Sequence, residues 1–306
     1  MKKLLEEELS VKVLGYVPKV EDCVIESRHL GLVLPEEIPE LKNRLGKLSE
    51  ILEKTLDIDG ILKLAGKAPE LSIPEFSDLI RKDSAFGYRS SEKARIGVAD
   101  DEAFCFFYAD NLSLLEQMGA ELVHFSPIHD TELPGDLDGL LLCGGYPELN
   151  GKALEENQEM CSSIRKAVEG GMPCLAECGG FMYLHQEMED MEGNFRKVCG
   201  VIPGRSFRTP KLTRFGYITL TEKKDSGLGE IPAHEFHYFD STDCGTDFHA
   251  SKPASTRGWD CMHYEGRLMA GFPHLYYYGN PKVPVHFLKN ALEYKKERRQ
   301  KKDAEI

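Results

Sequence analysis

The stretch Met172–Leu184 reads MPCLAECGGFMYL, and the interpretation of the whole chain starts from it. Its first half is apolar, as in a strand buried on both faces, and its second half resembles the first turn of a helix. Cys178 falls at the turn between them, with Ala176 two positions before and Gly180 two positions after. A sharp nucleophile elbow requires small residues at those flanks. Because the helix points its first N–H groups at the sulfur, the sequence predicts a nucleophilic cysteine with thiolate character.

The segments around this stretch alternate between short apolar strands and helices. The predicted strands lie at 95–100, 121–128, 139–145 and 172–177, and the predicted helices at 109–120 and 151–171. Such alternation is typical of a parallel sheet covered by helices on both faces. After Arg205, the segments 216–223, 233–240, 251–266 and 267–278 are typical of antiparallel strands. We therefore predict an α/β fold in which antiparallel strands are added to a mostly parallel sheet.

Other residues at strand ends are candidates for the same site, because ligands of open α/β sheets bind beyond the carboxyl ends of the strands. A cysteine nucleophile needs a base, and His274 stands between a predicted strand and a Gly-Asn-Pro turn. Gly144 and Gly145 follow the apolar run GLLLC. Without a Cβ, their backbone N–H groups can approach a substrate closely and serve as oxyanion donors.

Metal binding is not predicted. His234 and His237 are three positions apart in a predicted strand and therefore lie on opposite faces. The nine cysteines are odd in number and form no CxxC pair, so the eight other than Cys178 are interpreted as small buried hydrophobes.

Composition excludes several classes of protein. The chain has 306 residues, of which 41% are hydrophobic and 29% charged, an ordinary composition for a soluble protein. A net charge of −13 argues against a general nucleic-acid binder. No stretch approaches the roughly 20 consecutive apolar residues of a membrane span, and the N-terminus has no signal-peptide core. We expect a cytoplasmic protein that binds neither nucleic acid nor membrane.

The first ninety or so residues have a different pattern. MKKLLEEELS is typical of an amphipathic helix, residues 11–18 (VKVLGYVP) of a strand, and residues 36–65 of mostly helical structure. Residues 67–93 are rich in proline, serine and charge, which predicts a linker.

Several ordered motifs together resemble the cobyrinic acid a,c-diamide synthase family, whose C-terminal half is a class I glutamine amidotransferase domain of flavodoxin-like fold. The resemblance covers nearly the whole chain. The motifs are ESRHLGLV at Glu26–Val33, DEAFCFFYADNL at Asp101–Leu112, GGYPE at Gly144–Glu148, PCLAECGGFMYL at Pro173–Leu184, RFGY at Arg214–Tyr217, HEFHY at His234–Tyr238 and the histidine motif at His274.

The resemblance implies a glutaminase coupled to a synthetase. Cys178 would attack the side-chain amide of glutamine, and His274 would move the proton from the thiol to the departing ammonia. Tyr146 and Gly179 would join Gly144 and Gly145 around the substrate. The family motifs also contain six residues that are candidates for contacts on the synthetase side or with the substrate. They are Arg28, His29, Arg214, His234, Glu235 and His237. ATP and Mg²⁺ would activate the a and c acetate carboxylates of a corrinoid, cobyrinic acid, for amidation by the ammonia.

Two departures from the family pattern qualify this interpretation. Many class I glutaminases carry an orienting carboxylate two residues beyond the histidine, and that position is Tyr276 in this chain, so Cys178 and His274 are treated as a dyad. The family also opens with a P-loop, and no GxxxxGKS or GxxxxGKT occurs in the sequence. We therefore expect residues 1–92 to be the terminal piece of a dethiobiotin-synthetase-like ATP domain and residues 93–306 to be the amidotransferase domain.

This interpretation predicts that the chain alone binds no cofactor. Its partners would be glutamine, the tetrapyrrole, and either a separate P-loop chain or a second copy of itself. Three alternatives stay open. The first is that the chain is the corresponding synthase for nickel-sirohydrochlorin. The second is a non-catalytic module that kept the fold, and the third is a cysteine hydrolase of the same superfamily that acts on another amide.

Overall fold

The computed structural model describes residues 1–26, 33, 35–71, 92–224 and 226–304, which fall into two compact units, one on each side of the gap at 72–91. The first unit contains helices α1 (Lys2–Glu8), α2 (Leu41–Thr55) and α3 (Ile58–Ala65). The predicted helical region 36–65 is thus confirmed but interrupted. Leu56 is extended, and the Asp57 side chain accepts the Gly60 N–H at 2.9 Å and so caps α3.

The predicted strand at residues 11–18 is wrong. A strand needs a partner, and in this segment only Gly15 pairs, in an isolated bridge with Leu56. None of the described residues of the first unit is buried. Most of the predicted linker, and both Arg28 and His29, lie outside the described residues.

The second unit has five α-helices and fifteen strands among its described residues. The helices are α4 (Ala109–Gln117), α5 (Gly151–Glu156), α6 (Gln158–Glu169), α7 (Gly179–Tyr183) and α8 (Lys282–Ala304). The strands are β1 (Ala94–Ala99), β2 (Ala120–Phe125), β3 (Gly139–Leu142), β4 (Cys174–Glu177), β5 (His185–Glu189), β6 (Phe195–Lys197), β7 (Ile202–Arg208), β8 (Arg214–Glu222), β9 (Glu230–His237), β10 (Phe239–Ser241), β11 (Phe248–Ser251), β12 (Gly258–Cys261), β13 (His263–Glu265), β14 (Leu268–Gly271) and β15 (His274–Leu275). The predicted helix at 151–171 is divided at Asn157, whose side chain caps α6.

The central sheet has six strands in the order β13-β14-β4-β3-β1-β2. All neighbouring pairs are parallel except β13 with β14. Successive residues of β3 point into different cores, because Leu140 and Leu142 pack in one buried cluster and Leu141 in the other. Strands buried on both faces explain the continuous apolar runs of the sequence. The α/β class with a mostly parallel sheet is confirmed.

Two further sheets carry the antiparallel strands. One has the order β10-β7-β5-β6, and the other, entirely antiparallel, has the order β12-β11-β8-β9-β15. The expectation that residues 267–278 add antiparallel strands holds for β15 and for the pairing of β14 with β13. On its other side β14 lies parallel beside β4 in the central sheet, with Ala270 opposite Ala176. Within the described residues, no helix combines the length and the apolar character that crossing a bilayer would require.

Candidate active site

Cys178 lies on a sharp turn between β4 and α7. Its backbone adopts φ 49° and ψ −103°, a left-handed φ that a non-glycine residue rarely takes. The Cys178 N–H donates to the Gly271 carbonyl at 2.8 Å, which ties the turn to the end of β14. A Cβ at Gly180 would collide with the Leu142 carbonyl of β3. The small residue at this flank is therefore a requirement of the turn, as the elbow pattern predicts.

The Cys178 thiol does not have the thiolate character expected from the sequence. Burial raises the pKa of the thiol well above its ordinary value, and the charges of Glu148 and Glu235 raise it further. The Gly179 N–H lowers the pKa as anticipated, but this effect is smaller than the desolvation. The cysteine is therefore held as a neutral thiol, and its reaction requires a base.

His274 is placed by the pairing of β15 with β9, in which it lies opposite His234. The two rings stack with centroids 5.0 Å apart, and Phe106 contacts the His274 ring edge-on at 4.9 Å. Burial lowers the pKa of His274 to about 3, and the neighbouring His234 and His237 lower it too. His274 is consequently held as a neutral imidazole.

The paired glycines after β3 lie between the elbow and the histidine. A Cβ at Gly144 would come within 2.6 Å of His274 Cε1, and a Cβ at Gly179 within 3.2 Å of the Gly145 nitrogen. The structure thus brings Cys178, through its neighbour Gly179, and His274 against the same glycine pair. Among the described residues, no hydrogen bond joins the thiol to the imidazole. Such bonds are often long in the absence of substrate.

The backbone donors near the glycine pair differ in availability. Gly145 N–H has no hydrogen-bond acceptor within the part of the chain that the structure describes. Gly144 accepts a hydrogen bond from the Phe106 N–H at 3.0 Å through its carbonyl, and the Tyr146 N–H donates to the Ala103 carbonyl at 2.8 Å. The Gly145 N–H is thus a candidate donor for a developing oxyanion.

Glu177 is a residue of the site that the sequence analysis missed. It ends β4 immediately before Cys178, and its Oε2 lies 3.8 Å from His274 Nδ1. Burial raises the pKa of Glu177 to about 8, although the Leu275 N–H partly opposes the shift. The only signal in the sequence is one charged residue at the end of an otherwise apolar strand.

The predicted synthetase-side contacts are distributed over different environments. Glu235 and His237 are buried and paired, with Glu235 Oε2 2.8 Å from His237 Nε2. Arg214 forms an ion pair with Asp240 at 3.2 Å. Among the described members of this group, His234 is the one whose ring stacks on His274. Arg28 and His29 lie outside the described residues.

A cleft of about 420 Å³ opens next to His274. His234, Tyr108 and Tyr276 line it together with His274, and the Tyr108 hydroxyl lies 3.3 Å from His234 Nδ1. Cys178 is not part of the lining. The cleft therefore reaches the imidazole from the side of the antiparallel sheet.

The cysteine lies at the elbow after a central strand, and the histidine lies on a strand further along the chain. Residues 95–281, more than half of the chain, match the CobB/CobQ-like glutamine amidotransferase domain. The chain belongs to this family. The family resemblance expected from the motifs is thereby confirmed.

Curated relatives named cobyrinate a,c-diamide synthase are similar over most of the chain. The protein of Caldanaerobacter subterraneus subsp. tengcongensis is 37% identical over 284 residues, which are 91% of this chain and 61% of that protein. That of Clostridium tetani is 37% identical over 305 residues, 96% of this chain and 64% of that protein. That of Thermoplasma volcanium is 34% identical over 307 residues, 97% of this chain and 64% of that protein. The chain thus spans less than two thirds of the length of these relatives.

Solved structures of similar shape include a glutamine amidotransferase with a TM-score of 0.48 and 19% identity, covering 64% of this chain and 98% of that chain. PurLQS from Thermotoga maritima has a TM-score of 0.45 and 16% identity, covering 66% of this chain and 99% of that chain.

Proposed function

We propose that this chain hydrolyses glutamine through Cys178 and His274 and supplies the ammonia for ATP-dependent amidation of the a and c acetate groups of cobyrinic acid. The observation that carries the proposal is the Cys178 elbow, whose flanking Gly179 lies against the same glycine pair that contacts His274. The choice of acceptor is supported by the names of the similar relatives.

The first step forms a thioester. His274, a neutral imidazole, accepts the thiol proton as Cys178 Sγ attacks the carbon of the glutamine side-chain amide. The carbonyl oxygen becomes an oxyanion, to which the unpaired Gly145 N–H donates. The C–N bond then breaks, and His274 returns its proton to the leaving nitrogen, so that ammonia departs and a glutamyl thioester remains.

The second step regenerates the enzyme. A water molecule takes the place of ammonia, and His274 accepts one of its protons while the oxygen attacks the thioester carbon. The C–S bond breaks, the thiolate recovers the proton from His274, and glutamate leaves. Because both residues end as they began, one glutamine yields one ammonia and one glutamate.

ATP and Mg²⁺ enter the proposal at the acceptor. A carboxylate is a poor electrophile, and phosphorylation by ATP gives it a leaving group that ammonia displaces. The sequence contains no P-loop motif, so we assign ATP and Mg²⁺ to a P-loop region outside these residues. We propose residues 1–92 as the piece that completes this synthetase domain. Apolar side chains of α2 and α3 such as Leu45 and Leu62 are exposed, and none of the described residues of this unit is buried.

The experiment measures glutamate release from glutamine by the full chain and by two cysteine variants. Cys178→Ala removes the nucleophile and is expected to abolish release. Cys174→Ala, four positions earlier on β4 and buried in the core, is the matched control and is expected to retain it. A synthetase partner carrying a P-loop, with ATP, Mg²⁺ and cobyrinic acid, is expected to increase release and to yield the diamide.

Three outcomes would count against the proposal. Equal glutamate release from Cys178→Ala and the wild type would place the nucleophile elsewhere. No release from the wild type with or without the partner would favour a non-catalytic module. Amidation of a nickel tetrapyrrole but not of the corrinoid would reassign the acceptor.

A further inference from the structure

Glu177 is a buried carboxyl group to which the two-step mechanism gives no task. Its side chain is only 9% exposed, and Oε1 has no hydrogen-bond partner among the residues that the structure describes. Leaving a buried polar atom unpaired is destabilising. Such unpaired groups require an explanation, and one is a role at a reacting site.

The geometry connects Glu177 to the base. Its Oε2 is 3.8 Å from His274 Nδ1, and among the described carboxylates Glu177 alone forms an ion-pair contact with this ring. An imidazole has two nitrogens, and the hydrogen bond made at one of them fixes the state of the other. A contact at Nδ1 therefore leaves Nε2 for the thiol.

The position two residues beyond the histidine does not supply this contact. Tyr276 stands there, and its hydroxyl donates to Asp110 Oδ2 at 3.1 Å. The Tyr276 side chain is 41% exposed and lines the open cleft. Tyr276 carries no carboxylate and its hydroxyl is engaged with Asp110, so a carboxylate that orients His274 has to lie on another element.

Resting on the proposed function, we propose that Glu177 is the positioning residue for His274, accepting a hydrogen bond from Nδ1–H so that Nε2 is left unprotonated for the Cys178 thiol. A movement of about 1 Å brings the two groups from their present separation to hydrogen-bond distance. When His274 takes the thiol proton, the resulting imidazolium lies beside the carboxylate and is stabilised by it.

Burial makes this arrangement dependent on pH. The pKa of Glu177 is raised to about 8, so the ionised acceptor becomes abundant only as the pH approaches that value. The titratable groups packed against the pair are His234 and His237 on the imidazole side and Tyr108, Tyr277 and Cys143 on the carboxyl side.

The first measurement does not depend on activity. Nitrogen NMR of the histidine rings at pH 9 reports which nitrogen carries the proton, and the His274 signals are assigned by their loss in His274→Gln. We expect Nδ1–H in the wild type and in Glu177→Asp, and a mixture of both tautomers in Glu177→Gln, since an amide donates as well as accepts. Tyr276→Phe, which removes only the hydroxyl at the other candidate position, is the matched control and should give the wild-type pattern.

The second measurement is the pH profile of glutamine hydrolysis. Glu177→Gln is expected to lower kcat by about 10-fold or more with little change in KM, and to remove the rise in kcat near pH 8. Glu177→Asp is expected to restore part of that rise. A purely structural carboxyl group would change stability but neither the tautomer nor the shape of the profile.

The results separate the two proposals. A wild-type tautomer pattern and pH profile in Glu177→Gln would overturn the positioning role while leaving the glutaminase intact. Absence of glutamate release from every form, the wild type included, would contradict the proposed function, and the ring-nitrogen spectra would still decide the role of Glu177.

Discussion

The strained turn at Cys178 predicts that a glycine is tolerated there better than in the strand that precedes it. Replacing Cys178 by Ala removes the sulfur but keeps a Cβ at φ 49°. Replacing it by Gly removes the Cβ as well and so relieves the strain. The comparison of the two variants therefore isolates the backbone geometry from the loss of the thiol.

The expected magnitude follows from three terms. Residues held at unusual φ and ψ store about 1–3 kcal/mol. Glycine lowers the free energy of unfolding by about 0.5–1 kcal/mol because it gives the unfolded chain more conformational freedom. Loss of a buried methyl group lowers the free energy of unfolding by about 0.8 kcal/mol more. At residue 178 the sum of these effects runs from about 0.8 kcal/mol against Gly to about 1.7 kcal/mol in its favour. In the regular strand at Ala176, where no strain is relieved, Ala176→Gly should cost about 1.5 kcal/mol.

Urea unfolding measures the free energy of unfolding of Cys178→Ala, Cys178→Gly, Ala176→Gly and the wild type. We expect the step from Ala to Gly to be 1–3 kcal/mol less costly at position 178 than at position 176, by the strain estimate above. Equal costs at the two positions would refute the strained elbow.

Three other predictions address the base, the packing of the turn and the buried acid. His274→Ala is expected to lower kcat for glutamine hydrolysis by about 10²-fold or more, as loss of a general base does, and steady-state kinetics showing an unchanged kcat would contradict its role. Gly180→Ala is expected to lower the free energy of unfolding in urea by about 3 kcal/mol or more, because its Cβ would meet the Leu142 carbonyl. The control is Gly46→Ala in α2, whose Cβ would have no atom within 4 Å and which should be neutral or stabilising. Since folding raises the pKa of Glu177 from 4.5 to about 8, the stability that it contributes is complete below pH 4.5 and is lost as the pH rises through 8. Between pH 7 and 8.5 the unfolding free energy of the wild type should therefore fall by about 1 kcal/mol more than that of Glu177→Gln, and parallel pH dependences would contradict this.

Much of the fold was predictable because its signals are local. The strands of the central sheet are buried on both faces and therefore appear as continuous apolar runs, and the helices between them have regular apolar spacing. The elbow at Cys178 was predictable for the same reason, since the small residues that the turn requires are its sequence neighbours.

The errors concern properties that depend on distant residues. Strand β14 pairs with β4 although about ninety residues separate them, and nothing in its own sequence distinguishes it from an antiparallel strand. The charge state of Cys178 depends on how deeply the whole fold buries it, so the favourable Gly179 N–H was a poor guide. From the sequence, Glu177 at the end of a strand would be expected to face solvent. In the structure it is buried beside β15.

The site residues were predictable in type rather than in arrangement. Cys178, His274 and the glycine pair were chosen because they follow predicted strands. The structure places His274 against Gly144, and Gly179, the neighbour of Cys178, against Gly145. The stacking of His274 on His234 depends on the register of β15 with β9, which no local pattern encodes. Their catalytic roles stay predictions.

The central claim is that the Cys178 thiol reacts with the glutamine amide under base catalysis by His274. Acid quenching of the full chain with isotopically labelled glutamine, followed by peptide mass spectrometry, tests it most directly. The account predicts a glutamyl thioester on the peptide that contains Cys178, formed much more slowly in His274→Ala and absent from Cys178→Ala. Label on another residue, or a thioester that forms at the wild-type rate without His274, would contradict it.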